Sequence, residues 1–202
     1  VCNALVFGAI SCIVSTFVMS MMYGNFITSS KLSTVAESDL NTRLHNRNAY
    51  ENRLRDYPLR CSNSLTCVYI DVNGLHELNN TYGHEEGDKM LRTVACILRE
   101  IFGEEDSYRI GGDEFVVLYP EIKQAEFEYF VSQLQKNAKE HQVNISYGVV
   151  WREMCENLED LLTEADKKMY EDKKLYYSNT KHNRRGQIER NLPLCTAEKK
   201  AM

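Results

Sequence analysis

Before Lys31 the chain has no charged residue and no histidine. That rules against a secretory leader, which opens on a basic region ahead of a shorter apolar core. Basic residues are not in excess anywhere: 24 Lys and Arg stand against 29 Asp and Glu, for a net charge of -5 and a pI near 5.6. The basic footprint of a nucleic-acid-binding protein is therefore missing, and no nucleic-acid partner is expected. The seven cysteines (Cys2, Cys12, Cys61, Cys67, Cys96, Cys155 and Cys195) form no Cys-x-x-Cys pair, and no histidine cluster accompanies them. This spacing argues against a zinc site. Cys67 and Cys96 lie in apolar runs and read as core residues, and scattered thiols suit a reducing compartment better than a disulfide-stapled secreted domain. There is no internal repeat.

What stands at the N-terminus is an apolar run from Ala4 to Ile27, longer than the roughly 20 residues that cross a bilayer core. Tyr23 falls where an interfacial aromatic would sit. A transmembrane helix over residues 1–28 is the expectation, in contact with membrane lipid, and a buried core helix is its competitor. Lys31, Arg43 and Arg47 follow the run closely, and basic residues mark the cytoplasmic side. The expected location is thus the cell inner membrane, with the following domain in the cytoplasm. The missing initiator methionine suggests a piece of a longer protein with further spans upstream. Residues 29–40 read as a cytoplasmic helical connector, 41–177 as the folded domain, and 178–202 as a mobile tail.

Within the domain, Arg47–Asp56 reads as a helix that breaks near Pro58. Ser64–Val72 is a short, almost continuous apolar run, the pattern of a buried strand. Helices follow over Leu75–Tyr82 and Glu85–Phe102, the second with Met90, Leu91, Val94, Ile97, Leu98 and Ile101 at helical spacing. Strands are expected over Ser107–Ile110 and Phe115–Tyr119, a helix over Gln124–His141, a strand over Val143–Trp151 and a last helix over Leu158–Tyr177. Such alternation predicts one α/β or α+β layered domain.

The chemistry gathers around Arg109-Ile-Gly-Gly-Asp-Glu-Phe115. A Gly-Gly pair between strands predicts a tight hairpin with positive φ at its glycines. Asp113 and Glu114 follow at the tip, where carboxylates can hold a hard cation or simply be solvated. Asp71 ends the apolar strand, and a carboxylate there needs either an Arg or Lys partner or a metal. If the hairpin lies beside that strand, Asp71 and Asp113 converge as a site for paired Mg²⁺ ions. Between them, Asn79 and Asp88 offer the donors and acceptors that complement guanine. In the alternative reading, Asn79 caps one helix and Asp88 is exposed on the next.

Six segments together resemble one family. They are Asp39-Leu-Asn-Thr-Arg-Leu-His-Asn-Arg47, Asp71-Val-Asn-Gly-Leu-His-Glu-Leu-Asn79, Gly83-His-Glu-Glu-Gly-Asp88, Arg109-Ile-Gly-Gly-Asp-Glu-Phe115, Ser146-Tyr-Gly-Val149 and Ala165-Asp-Lys-Lys-Met-Tyr170. In this order and at these spacings, over about residues 38–177, the chain resembles the GGDEF-domain diguanylate cyclases. The resemblance implies an α+β fold with a palm-like, nucleotide-cyclase or ferredoxin-like sheet, antiparallel at its centre and flanked by helices. It implies condensation of two GTP into cyclic di-GMP and two pyrophosphates by a homodimer, each domain binding one GTP. It places Mg²⁺ (two ions, with Mn²⁺ as a substitute) on Asp71, the Val72 carbonyl and Asp113, with Asp113 accepting the 3′-hydroxyl proton and Glu114 assisting. Asn79 and Asp88 would read guanine, and Lys173, His76, His84 and the amides of Gly111 and Gly112 complete the substrate set.

Three positions depart from the family pattern. His76 stands where a lysine is common and is a weaker phosphate ligand. Tyr177 stands where an arginine is common, and Asn73 replaces a second aspartate. The degenerate alternative, a domain that binds GTP as a regulatory module without turnover, rests on these departures, two of which (His76 and Tyr177) remove positive charge. The family's product-inhibition window reads Phe102-Gly-Glu-Glu105 here, with no arginine to clamp an anionic dinucleotide. Product inhibition through that site is expected to be absent.

Overall fold

The computed structural model describes residues 14–23, 37–60, 64–153 and 157–180. The chain divides into two compact units, residues 1–37 and 38–202. In the first, residues 14–23 are helical, and Phe17, Met19, Met22 and Tyr23 are exposed. No helix among the described residues is long and apolar enough to cross a membrane. The rest of the span expected over 1–28, and the connector up to residue 36, lie outside the described residues, as does the tail beyond residue 180.

The second unit runs β1 (His45–Asn46), α1 (Arg47–Arg60), β2 (Ser64–Val72), α2 (Leu75–Tyr82), α3 (His84–Phe102), β3 (Ser107–Arg109), β4 (Glu114–Pro120), α4 (Gln124–Glu140), β5 (Ile145–Glu153) and α5 (Leu158–Thr180). The five strands form one sheet in the order β1-β3-β4-β2-β5. β2 pairs antiparallel with both β4 and β5, β3 pairs antiparallel with β4, and only the β1–β3 edge is parallel. The continuous apolar run of β2 is explained by this position: it is buried along nearly its whole length, with a neighbour on each side.

Helices cover both faces. On one, Met90, Leu91, Val94, Ile97 and Leu98 of α3 pack against Val68, Ile70 and Val117 of the sheet. On the other, Ala49, Tyr50 and Tyr57 of α1 and Leu161 and Ala165 of α5 pack against Cys67, Val116 and Leu118. Cys67 is a buried free thiol, as its apolar setting implies. α1 does not stop before Pro58 but continues to Arg60. α5 runs three residues past the expected Tyr177.

Among the described residues three non-glycine positions, Arg43, Glu121 and Gln142, hold positive φ. Arg43 holds φ 64 in the turn before β1, where an L side chain crowds the following carbonyl at a cost of about 1–2 kcal/mol. The turn is fixed by Asp39 N–H to Leu44 O (2.8 Å) and Arg43 N–H to Asp39 O (2.8 Å), and the Arg43 side chain is exposed. Arg43→Gly is therefore expected to stabilise the domain by about 1 kcal/mol. A urea midpoint that rises shows this, and one that falls contradicts it.

Candidate functional site

The two strands that carry the acidic residues are neighbours. In the β2–β4 register Asp71 lies opposite Glu114, and one step further the Val72 N–H donates to the Asp113 carbonyl (3.0 Å). Asp71 and Asp113 thus come to the same end of the sheet, as the convergence argument required. Asp71 is only 3% exposed. One carboxylate oxygen, Oδ2, accepts from Lys173 Nζ at 2.5 Å, while Oδ1 is buried with no hydrogen-bond partner. The choice between a lysine and a metal as Asp71's partner is thus met by a lysine on one oxygen, with the other left unmatched.

Burial pushes the Asp71 carboxyl above its ordinary value; Lys173 opposes the shift and the Asp113 charge adds to it. For Lys173, burial pulls the ammonium down, but the hydrogen bond and charge of Asp71, then the charge of Asp113, outweigh it and the net shift is upward. Two carboxylates, Asp71 and Asp113, thus hold the Lys173 ammonium in its charged form.

The glycine turn differs from expectation. Neither Gly111 nor Gly112 has a positive φ; among the described glycines, Gly74, Gly83 and Gly103 do. The loop between β3 and β4, residues 110–113, has the four-residue length that the expected strand bounds imply, shifted by one position. Its amides at Ile110 and Gly111 both point to the Glu114 carbonyl (3.0 and 3.3 Å). A side chain at Gly111 would run into the Glu114 carboxylate, which folds back against it, whereas one at Gly112 would meet nothing within 4 Å. The first glycine serves packing and the second leaves open space. The Gly111 amide, expected at a phosphate, is committed to the turn.

Arg109 organises this turn. Its Nη1 donates to Asp39 Oδ1 (3.0 Å) and its Nη2 to the Gly112 carbonyl (2.7 Å). Asp39 also accepts from the Thr42 N–H (2.8 Å) and hydroxyl (2.6 Å). Burial raises the Asp39 carboxyl, but these hydrogen bonds and the Arg109 charge more than offset it, and the group ends below its ordinary value of 3.8. A carboxyl lowered on folding stabilises above its unfolded value, and the contribution is lost as pH falls through the folded one. Wild type is thus expected to lose stability more steeply than Asp39→Asn between about pH 5 and pH 3, read from urea midpoints; parallel curves would contradict it.

Asn79 and Asp88 are brought together where α2 meets α3. Asn79 does not cap α2 but sits within it, and a side chain at Gly87 would collide with its carbonyl oxygen. That oxygen is buried without a hydrogen-bond partner. Asp88 is exposed in the opening turns of α3, and its Oδ1 accepts from Asn41 Nδ2 (3.0 Å). His76, exposed in the first turn of α2, meets the Asn80 amide (3.0 Å) across one helical turn rather than any group of the acidic pair. His84 opens α3 and is exposed. Asn73, where a second aspartate is common, is buried, with Nδ2 donating to Ser146 Oγ (2.8 Å).

Reasoning from sequence missed Arg109 and Asn41 as site residues. Both stand in segments that resemble the family, but their partners lie 70 and 47 residues away. Among the described residues no three His, Cys, Asp or Glu side chains gather as a metal cluster. The carboxylates brought to the shared end of the sheet are Asp71 and Asp113, with Glu114 opposite Asp71 in the register.

Residues 36–178 match the family described as "Diguanylate cyclase, GGDEF domain", and the chain belongs to that family. It is 32% identical over 158 residues to diguanylate cyclase DgcS of Shewanella oneidensis, covering 74% of this chain and 53% of that protein. Its identity to the probable diguanylate cyclase DgcF of Escherichia coli O157:H7 is 27% over 154 residues, covering 69% and 33%. The chain thus spans between about a third and about half of these relatives' length. Among solved structures, the coiled coil and GGDEF domain of DgcB from Caulobacter crescentus, in complex with c-di-GMP, is similar with a TM-score of 0.67 at 18% identity, covering 80% of this chain and 94% of that one. That similarity speaks for the fold.

Proposed function

We propose that this domain is a diguanylate cyclase, which joins two GTP into cyclic di-GMP and releases two pyrophosphates. The observation that carries the proposal is Asp71 Oδ1, a carboxylate oxygen buried without a hydrogen-bond partner at the sheet end it shares with Asp113. An orphaned hard oxygen suits a divalent cation, so the residues present fit Mg²⁺, or Mn²⁺, held by Asp71, the Val72 carbonyl and Asp113. Bound there, one or two such ions would neutralise triphosphate charge and polarise the reacting phosphate.

The other roles belong to the chain's own groups. Asp88 and Asn79 orient guanine, the first accepting from its N–H edge and the second presenting an amide. Asp113 accepts the proton of the attacking 3′-hydroxyl. Lys173 leaves Asp71 for the triphosphate when nucleotide arrives, and Gly112 leaves room for the phosphates. One domain holds one GTP, so two copies face each other and each 3′-hydroxyl attacks the partner's α-phosphate in line. The apolar N-terminal segment tethers the dimer to the inner membrane, with the catalytic domain in the cytoplasm.

The test is incubation of the purified chain with GTP, in Mg²⁺ and in excess EDTA, with mass spectrometry of the products. Cyclic di-GMP forming only with the metal supports the proposal. GTP binding without product would select the degenerate regulatory domain instead.

A further inference from the structure

Asp88 is the most exposed member of the proposed guanine site, and a surface carboxylate at a helix start would ordinarily turn freely among rotamers. Here it is held. Asn41, in the turn before β1, donates from Nδ2 to Asp88 Oδ1 (3.0 Å), and Arg92 donates from Nη1 to Asn41 Oδ1 (2.7 Å). Arg92 lies one turn beyond Asp88 on α3, and no Arg92–Asp88 ion pair closes between them. The amide spans the two charges.

The order of the three groups matters. An asparagine amide can present its oxygen or its nitrogen to either side. The Arg92 guanidinium, a donor only, fixes the oxygen toward itself and so aims the NH₂ at Asp88. Asp88 keeps one oxygen open to a ligand, since only Oδ1 accepts from Asn41, whereas a direct bidentate arginine would occupy both oxygens. The turn that carries Asn41 is itself anchored: Asp39 is clamped by Thr42 and Arg109, and Arg99 Nη2 donates to the Thr42 carbonyl (3.0 Å). The same turn therefore braces the glycine loop through Arg109 and the base-reading carboxylate through Asn41.

We infer that Asn41, oriented by Arg92, is a positioning residue that aims the Asp88 carboxylate at the guanine edge and so sets base specificity. The inference rests on the reading of Asp88 as the guanine-binding carboxylate. It gives Asn41 a defined signature. Guanine offers a carboxylate two donors, N1–H and the exocyclic amine, and hypoxanthine offers only N1–H. A well-aimed Asp88 separates GTP from ITP; a loosely held one separates them less.

The experiment measures steady-state kinetics with GTP and with ITP on the full chain, for wild type, Asn41→Ala, Arg92→Gln and Asp88→Asn. Asn41→Ala is expected to raise KM for GTP about five- to tenfold, the effect of one ordinary hydrogen bond at an exposed site. The loss should fall on KM more than on kcat, and the GTP-to-ITP preference should shrink by a similar factor. Arg92→Gln should move both in the same direction by less, because the amide remains but is no longer oriented. Thermal midpoints without nucleotide separate these changes from unfolding, and Arg92→Gln carries the test should Asn41→Ala fold poorly. If Asn41→Ala keeps the wild-type KM and preference while Asp88→Asn loses both, Asn41 has no positioning role and the site reading stands. If Asp88→Asn itself keeps the preference, the assignment of Asp88 to guanine fails, and this inference with it.

Discussion

Asp113→Ala is expected to lower cyclic di-GMP synthesis by about 10²–10⁴-fold, the range that removing a general base spans, with stability nearly unchanged. Its backbone carbonyl, which accepts the Val72 N–H at 3.0 Å, survives the substitution. The β2–β4 pairing that places Asp71 therefore survives too. The side chain is only partly buried at the edge of an open turn, so a change in unfolding free energy within about 0.5 kcal/mol is expected, as for surface positions. Turnover and a urea melt on the same preparation check both halves. Wild-type turnover would remove Asp113 from the catalytic metal site, while lost turnover with a collapsed melt would leave a structural role as the explanation.

Gly148→Ala should be the most damaging small substitution. A Cβ at Gly148 of β5 would collide with the Ala165 carbonyl and the Met169 amide nitrogen, both backbone atoms of α5. Neither can swing aside as a side chain could, so α5 must lift from the sheet. Ala165 and Leu161 are wholly buried in that contact, and overpacking of this kind costs about 1–3 kcal/mol or more. The effect reaches the site, because α5 carries Lys173 to Asp71 and is also docked through the Tyr147 N–H to Asp172 Oδ2 (3.1 Å). A lower urea midpoint together with a raised KM for GTP is the expected pair of results. An unchanged midpoint would show that the helix does not seat on that glycine.

What the sequence made legible was whatever local pattern or a long motif encodes. The bounds of β2, Ser64–Val72, and of α2, Leu75–Tyr82, were legible because continuous apolar character and helical spacing leave little choice. The antiparallel neighbourhood of Asp71 and Asp113 followed from adjacency of consecutive strands. β1 was not legible: two residues have no periodicity, and its parallel pairing with β3 depends on a chain segment more than 60 positions away. The glycine turn misled because two adjacent glycines suggest positive φ, whereas neither Gly111 nor Gly112 adopts it; at Gly111 the Glu114 side chain is folded against the backbone instead. Lys173 was placed at the site from the family motif alone, and its contact with Asp71 joins residues 102 positions apart. Asn41 escaped notice because an asparagine in a turn normally serves its own backbone, and here it serves Asp88.

The measurement that bears most directly on the whole account is product identity as a function of protein concentration, with GTP and Mg²⁺. Cyclic di-GMP appearing with two pyrophosphates per product, at a specific rate that rises with protein concentration, is the result the proposed two-copy reaction predicts. No cyclic dinucleotide at any concentration, from folded protein that binds GTP, would contradict it.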